Sequence, residues 1–167
     1  MTIQTSFAQK KDINEIAGVF FKSGITKTIE EGSENIEEEM KKGDNYIIAK
    51  DESGKILGFI SGKTEGRPRH GLYELYHIGV DSEAQGKGIG KILFETLVSE
   101  VKKMYISKGF FLRKLYLKTG EKNEKAHHFY EKMGMTQKDS LRAHFANDKK
   151  ELIYDMFFDS GGKSIKL

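Results

Sequence analysis

The chain has 167 residues, 37% hydrophobic and 32% charged, with a formal net charge of +3 and no cysteine. That length suits one domain with a sizeable core. Disulfides, thiolate catalysis and cysteine-based metal sites are excluded. A charge of +3 is too small to argue for nucleic acid. The sequence shows no apolar run of membrane-spanning length, and Met1-Thr-Ile-Gln-Thr-Ser-Phe7 has no signal-peptide pattern, so a cytoplasmic protein is expected.

Apolar residues at Ile13, Ile16, Ala17 and Phe20 predict a helix over Asp12 to Ser23. A second helix is expected from Ser33, as its cap, to Lys42, with Glu34, Glu37, Glu38 and Glu39 as an acidic face. Asn45 to Lys50 and Lys55 to Thr64 read as two strands joined by the turn Asp51-Glu-Ser-Gly54. Leu72 to Asp81 is a strand whose interior Gly79 suggests a bulge or a close backbone approach. A long helix follows from Gly88 to about Lys108, then a short strand over Leu115 to Thr119. Glu124 to Lys132 is a short helix, and Thr136 to His144 and Leu152 to Phe158 form a final strand pair. This order predicts an α+β (mixed α/β) fold with one central sheet. A single domain is expected over residues 1–159, with 160–167 as a flexible tail.

Between the Leu72 strand and the long helix lies Gln85-Gly-Lys-Gly-Ile-Gly-Lys91. A glycine-rich turn opening a helix aims backbone N–H groups and the helix dipole at one point, which favours phosphate. A P-loop does not fit, because the spacing is one residue short and Ile92 stands where a hydroxyl is needed. A dinucleotide fingerprint does not fit either: the third glycine is misplaced and the stretch Lys108–Lys114 has no acid.

Gln85-Gly-Lys-Gly88-Ile-Gly90 does resemble the acyl-CoA signature of the GNAT superfamily of N-acyltransferases. About 33 residues later, Asn123-Glu-Lys-Ala126-His-His-Phe-Tyr130-Glu-Lys-Met-Gly134 resembles the second signature, with Met135 in place of the usual Phe. The resemblance covers roughly Ile3 to Phe158. It implies a central, mostly antiparallel, splayed sheet flanked by helices, and an N-acetyltransferase using acetyl-CoA without a metal. It also implies residue roles. Gly86, Lys87, Gly88, Ile89, Gly90 and Lys91 would cradle the pyrophosphate, with Gln85 bracing the loop. Ile78, Gly79 and Val80 would bind pantetheine through their backbone, and Asn123 would hydrogen-bond the pantetheine arm while capping its helix. Tyr130 matches the family's general acid.

A lysine-like amine with a pKa of about 10.4 is almost wholly protonated near neutrality, so a base is needed. Lys118 stands where protein N-terminal acetyltransferases of the superfamily carry a carboxylate. Glu74 is the leading base, because it stands in the strand where other members of the superfamily carry a Glu that acts through water, and His77 is its rival. Strict alternation puts Glu74, Tyr76 and Ile78 on one face of the strand and Leu75, His77 and Gly79 on the other. Adjacent His127 and His128 point apart on their helix and do not suggest a metal site.

The acceptor is expected to be a small amine or polyamine. A peptide or protein acceptor, and a non-catalytic acyl-CoA-binding module, are the alternatives. Lys87, Lys91, Lys122 and Lys125 could contact nucleic acid, but the CoA phosphates explain them with one ligand. Expected partners are therefore acetyl-CoA and an amine, with neither nucleic acid nor membrane; a homodimer is compatible with this reading.

Overall fold

The computed structural model describes residues 2–167. In chain order the elements are β1 (Gln4–Phe7), α1 (Ile13–Lys22), α2 (Ile29–Lys41), β2 (Asn45–Lys50), β3 (Ile56–Glu65) and β4 (Leu72–Val80). They continue as α3 (Ile89–Ser107), β5 (Lys114–Gly120), α4 (Glu124–Lys132), β6 (Thr136–Arg142), β7 (Lys150–Phe158) and β8 (Ser164–Ile165). The strands form one open, mixed sheet in the order β1-β2-β3-β4-β5-β7-β6, with β8 added to β7. This is the mixed α+β sheet expected from the sequence. β1–β2, β2–β3, β5–β7, β6–β7 and β7–β8 pair antiparallel. β4 and β5 pair parallel, in the register Leu72↔Lys114, Tyr73↔Leu115 and Glu74↔Tyr116.

By internal contacts the chain divides into two compact units. The first runs up to Lys63 and resumes over Tyr76–Glu100; the second comprises Thr64–Leu75 and Val101–Leu167.

In the first unit, the apolar stripe of α1 (Ile13, Ile16, Ala17, Phe20) joins Ile36 of α2 and Tyr46, Ile48, Ile56 and Phe59 of the sheet in one core. α2 begins five residues earlier than its sequence suggests. Thr28, not Ser33, is the cap, and its hydroxyl accepts from the Glu31 N–H at 3.1 Å. The early turn hides from periodicity because Ile29 is exposed, and because Gly32 lies against Ala17, where a Cβ would sit 3.3 Å from the Ala17 side chain. A small residue there lets α1 and α2 approach. Four-residue β1 went unread because only Thr5 of its side chains is even half-buried.

Asp12, buried below α1, accepts from the Gln9 N–H at 2.8 Å and from Lys50 at 2.9 Å. Burial opposes its ionisation, but these hydrogen bonds outweigh burial and hold the carboxyl below its ordinary range. A depressed folded pKa stabilises the fold above the unfolded carboxyl's pKa, and that contribution is lost as pH falls through the folded value. Asp12→Asn is therefore expected to cost about 2 kcal/mol at neutral pH. It should also flatten the loss of stability below about pH 4, as read by urea titrations across pH.

In the second unit β5 alternates strictly between buried and half-buried residues, with Leu115, Leu117 and Thr119 buried. The buried row of α3 recurs every fourth residue: Ile89, Leu93 and Leu97 in the first unit, Val101 and Tyr105 in the second. β6 ends at Arg142, two residues before its expected limit; β7 begins at Lys150, two before its own. Ala143 between them has a positive φ of 52°. Residues 160–167, expected as a tail, carry β8, which pairs Phe157↔Ile165 and Phe158↔Ser164.

Candidate functional site

Within the first unit, β4 hands the chain to a tightly tied turn. Asp81, 2% exposed, donates its N–H to the Leu57 carbonyl at 2.8 Å, and its carboxylate accepts from the Glu83 N–H at 3.0 Å and from Lys22 at 2.9 Å. The Lys22 bond, then the Glu83 N–H, holds the Asp81 carboxyl below its ordinary range. Gln85 then donates its side-chain amide to the Val80 carbonyl at 3.2 Å, closing the turn against the end of β4.

Gly86 and Gly88 follow at φ of 77° and 78°, with no atom within 4 Å of where a Cβ would sit on either. Their conformation, rather than crowding, calls for glycine, and the space beside them is open to a ligand. Ile92 N–H to the Gly88 carbonyl, 3.1 Å, is the bond that starts α3. The N–H groups preceding it have no partner within the helix. Lys87 and Lys91 are exposed, and Lys91 lies 3.8 Å from Glu95 one turn on. Ile89 is only 1% exposed, so its side chain belongs to the core and its backbone alone faces the turn. The arrangement fits a diphosphate: open backbone N–H groups, a helix N-terminus and two cationic side chains.

Gly79 is needed for space. A Cβ there would lie 2.6 Å from the Phe59 ring and 3.1 Å from the Ser23 hydroxyl, while a Cβ on Gly58 would lie 2.8 Å from the Gly79 carbonyl. The close approach anticipated for this glycine is thus a packing of β4 onto β3 and α1.

His77, two residues earlier, turns toward α1 and α2. Its Nε2 lies 3.3 Å from Glu39, and its ring meets Phe20 edge-on at 5.2 Å. The other oxygen of Glu39 accepts from the Tyr46 hydroxyl. Burial opposes ionisation of Glu39, but the bonds from His77 and Tyr46 prevail and hold it below the ordinary carboxylate range. Burial and the adjoining Glu39 push the Tyr46 phenol up. The sequence reading placed Glu39 on a solvated acidic face. Glu37 and Glu38 do form surface pairs with Lys41 and Lys42. Glu39 instead falls three residues after buried Ile36, on the inward stripe of α2, and that spacing was its available signal.

In the second unit, Glu74 is 3% exposed. Its carboxylate lies 2.8 Å from the Lys118 ammonium and 3.4 Å from the Tyr116 hydroxyl. The parallel register explains the pair: Glu74 sits opposite Tyr116, and Lys118 is one pleat further along the same face of β5.

Asn123 caps α4, its side-chain oxygen accepting from the Ala126 N–H at 3.3 Å. Seven residues later comes Tyr130, 6% exposed and held by ring contacts with Phe129 at 5.5 Å and Tyr154 at 5.9 Å. Burial alone pushes its phenol above the ordinary value, so the hydroxyl stays protonated across the neutral range. His127 bonds the Gly120 carbonyl at 3.0 Å while His128 is exposed, so the two histidines diverge. Met135 is buried, in keeping with an apolar position.

Comparison with known proteins gives a consistent picture. The family model described as "Acetyltransferase (GNAT) family" matches residues 12–135. The mycothiol acetyltransferase of Propionibacterium freudenreichii subsp. shermanii is 28% identical over 127 residues, which is 74% of this chain and 38% of that protein. The chain thus spans less than two-fifths of that relative's length. Among solved structures, the ribosomal-protein-S18-alanine N-acetyltransferase of Escherichia coli superposes with a TM-score of 0.77 at 16% identity, covering 99% of this chain and 100% of that one. The spermidine/spermine N-acetyltransferase SpeG of Vibrio cholerae, in mutant forms, gives 0.71 at 18% identity, covering 93% and 95%. At such identities these two structures speak for the fold.

Proposed function

The chain belongs to the GNAT family of acetyltransferases, and on that premise we propose that it transfers the acetyl group of acetyl-CoA to a primary amine by direct attack. The observation that carries this reading is the Gln85–Lys91 turn: two glycines at positive φ, open to solvent, at the N-terminus of a 19-residue helix. Backbone N–H groups of Gly86 through Gly90, with Lys87 and Lys91, bind the pyrophosphate, and Gln85 holds the turn. Ile78, Gly79 and Val80 offer backbone groups to pantetheine, and Asn123 adds a side-chain amide to its capping role. Acetyl-CoA supplies the activated acyl group.

The protein's part is positioning and proton management. The acceptor ammonium gives one proton to a base on β4, where the sequence offers Glu74 and His77. The neutral amine then attacks the acetyl carbon; the N–C bond forms and the C–S bond breaks. Tyr130 protonates the leaving thiolate and recovers a proton from the nitrogen as the amide forms. One proton is released overall. The acceptor we favour is a small amine or polyamine.

Titration calorimetry with acetyl-CoA, with NAD and ATP as controls, tests the proposal. Saturable binding of acetyl-CoA alone supports it; no binding rejects it. Gly88→Val forces a β-branched residue into the left-handed region, at roughly 1–2 kcal/mol of strain. Expressed in binding, that strain weakens acetyl-CoA about five- to thirtyfold in the same titration, since about 1.4 kcal/mol is a factor of ten. Binding without turnover over a panel of amines would turn the reading toward a binding module.

A further inference from the structure

We infer that His77, oriented by Glu39, is the base that deprotonates the acceptor ammonium, and that Glu74 is not. The inference rests on the transfer reaction proposed above and assigns the group that reading leaves open. Three observations carry it. First, Glu74 is buried and its carboxylate is engaged by the Lys118 ammonium at 2.8 Å, so a proton taken there would break a buried ion pair. Second, His77 keeps 29% of its side chain exposed and bonds through Nε2 to Glu39. A carboxylate on one imidazole nitrogen selects the tautomer with that nitrogen protonated and leaves the other as a proton acceptor. Nδ1 of His77 has no hydrogen bond among the described residues. Third, Glu39 is itself pinned by the Tyr46 hydroxyl, and the His77 ring by Phe20, so the dyad is preorganised. His77 directly precedes Ile78–Val80, the strand segment assigned to the acyl donor, and lies with Gly79 on the side of β4 that meets the end of α1.

The proton step balances simply. The Nδ1 lone pair accepts one ammonium proton, giving neutral amine and imidazolium; Glu39 stabilises that cation, and the proton then passes to solvent. The charged and titratable groups on the elements packed around His77 are Glu39 of α2 and Lys42 at its end, Asp44 before β2, Tyr46 of β2, and Lys63 of β3, whose ammonium lies 4.7 Å from the ring centre of Tyr76.

The test uses the intact chain with acetyl-CoA and two probe acceptors, n-butylamine and hydroxylamine; the latter is largely unprotonated at neutral pH and needs no base. His77→Gln is expected to lose at least about 100-fold in kcat with butylamine at pH 7, and far less with hydroxylamine. Wild type should show an acid limb in its pH–rate profile with butylamine, because protonated imidazole cannot act. His77→Gln should abolish the limb, and Glu74→Gln should lower the rate but keep the limb. Nitrogen-15 spectra of the wild-type imidazole should show the Nε2-protonated tautomer, lost in Glu39→Gln. A limb that survives His77→Gln, a limb removed by Glu74→Gln, equal losses on both acceptors, the opposite tautomer, or no butylamine turnover by acetyl-CoA-bound wild type each overturns the assignment. Acetyl-CoA titrations on the same samples separate the two readings: wild type that fails to bind acetyl-CoA removes the transfer reaction itself, whereas bound and active wild type with an unchanged His77→Gln profile removes only the dyad.

Discussion

Tyr130→Phe is expected to lower turnover at least about 100-fold, some 2.7 kcal/mol of barrier, while acetyl-CoA affinity and thermal stability stay near wild type. The substitution removes one hydroxyl and keeps the ring that meets Phe129 and Tyr154. The phenol is placed by ring packing, and burial is the cause that raises its pKa. A phenol so raised is a reluctant acid toward water. A thiolate leaving group, ordinarily near pKa 8.5, becomes a stronger base when it too is withdrawn from water, and the transfer becomes feasible. Because the effect falls on proton transfer in the chemical step and not on binding, it should appear in kcat with the dissociation constant of acetyl-CoA unmoved. Parallel loss of affinity or of melting temperature would make Tyr130 a packing residue and end its role as acid.

How much of this was legible depended on the range of the interaction. The Gln85–Lys91 turn and the Asn123 cap are local: glycines at positive φ and a side chain bonding three residues on leave their mark within a few positions. α1 and α4 were equally plain, because their stripes or caps lie inside the segment. The start of α2 was not, because Thr28 caps a first turn whose Ile29 points to solvent and whose Gly32 reads as a breaker until Ala17 is seen against it. The partners of Glu74 and His77 were beyond reach for a stronger reason. Lys118 is 44 positions from Glu74, and it faces it only because β4 and β5 pair parallel in one register. Glu39 is 38 positions from His77, on a different element. Alternation along β4 told which face each residue takes, but not what stands on that face. The identity of the base turns on that missing information.

The same pair yields the largest stability effect. Lys118→Met is expected to destabilise the fold by about 3 kcal/mol, the lower end of the cost of removing one partner from a buried ion pair. Glu74 keeps 4% of its side-chain exposure and Lys118 23%, so the burden falls on the carboxylate. Methionine retains much of the lysine stem, which limits the loss of packing and isolates the loss of charge. What then faces Glu74 is the Tyr116 hydroxyl at 3.4 Å, too long to replace an ammonium. The double substitution Glu74→Leu with Lys118→Met should recover most of the deficit, since replacing both members of such a pair by apolar groups is often neutral or stabilising. Urea denaturation of the four proteins in the cycle reads this directly. A Lys118→Met deficit below about 1 kcal/mol, in the range of a surface pair, or a double variant as unstable as the single one, would show that water reaches Glu74. The carboxylate would then be free to compete with His77 for the acceptor's proton.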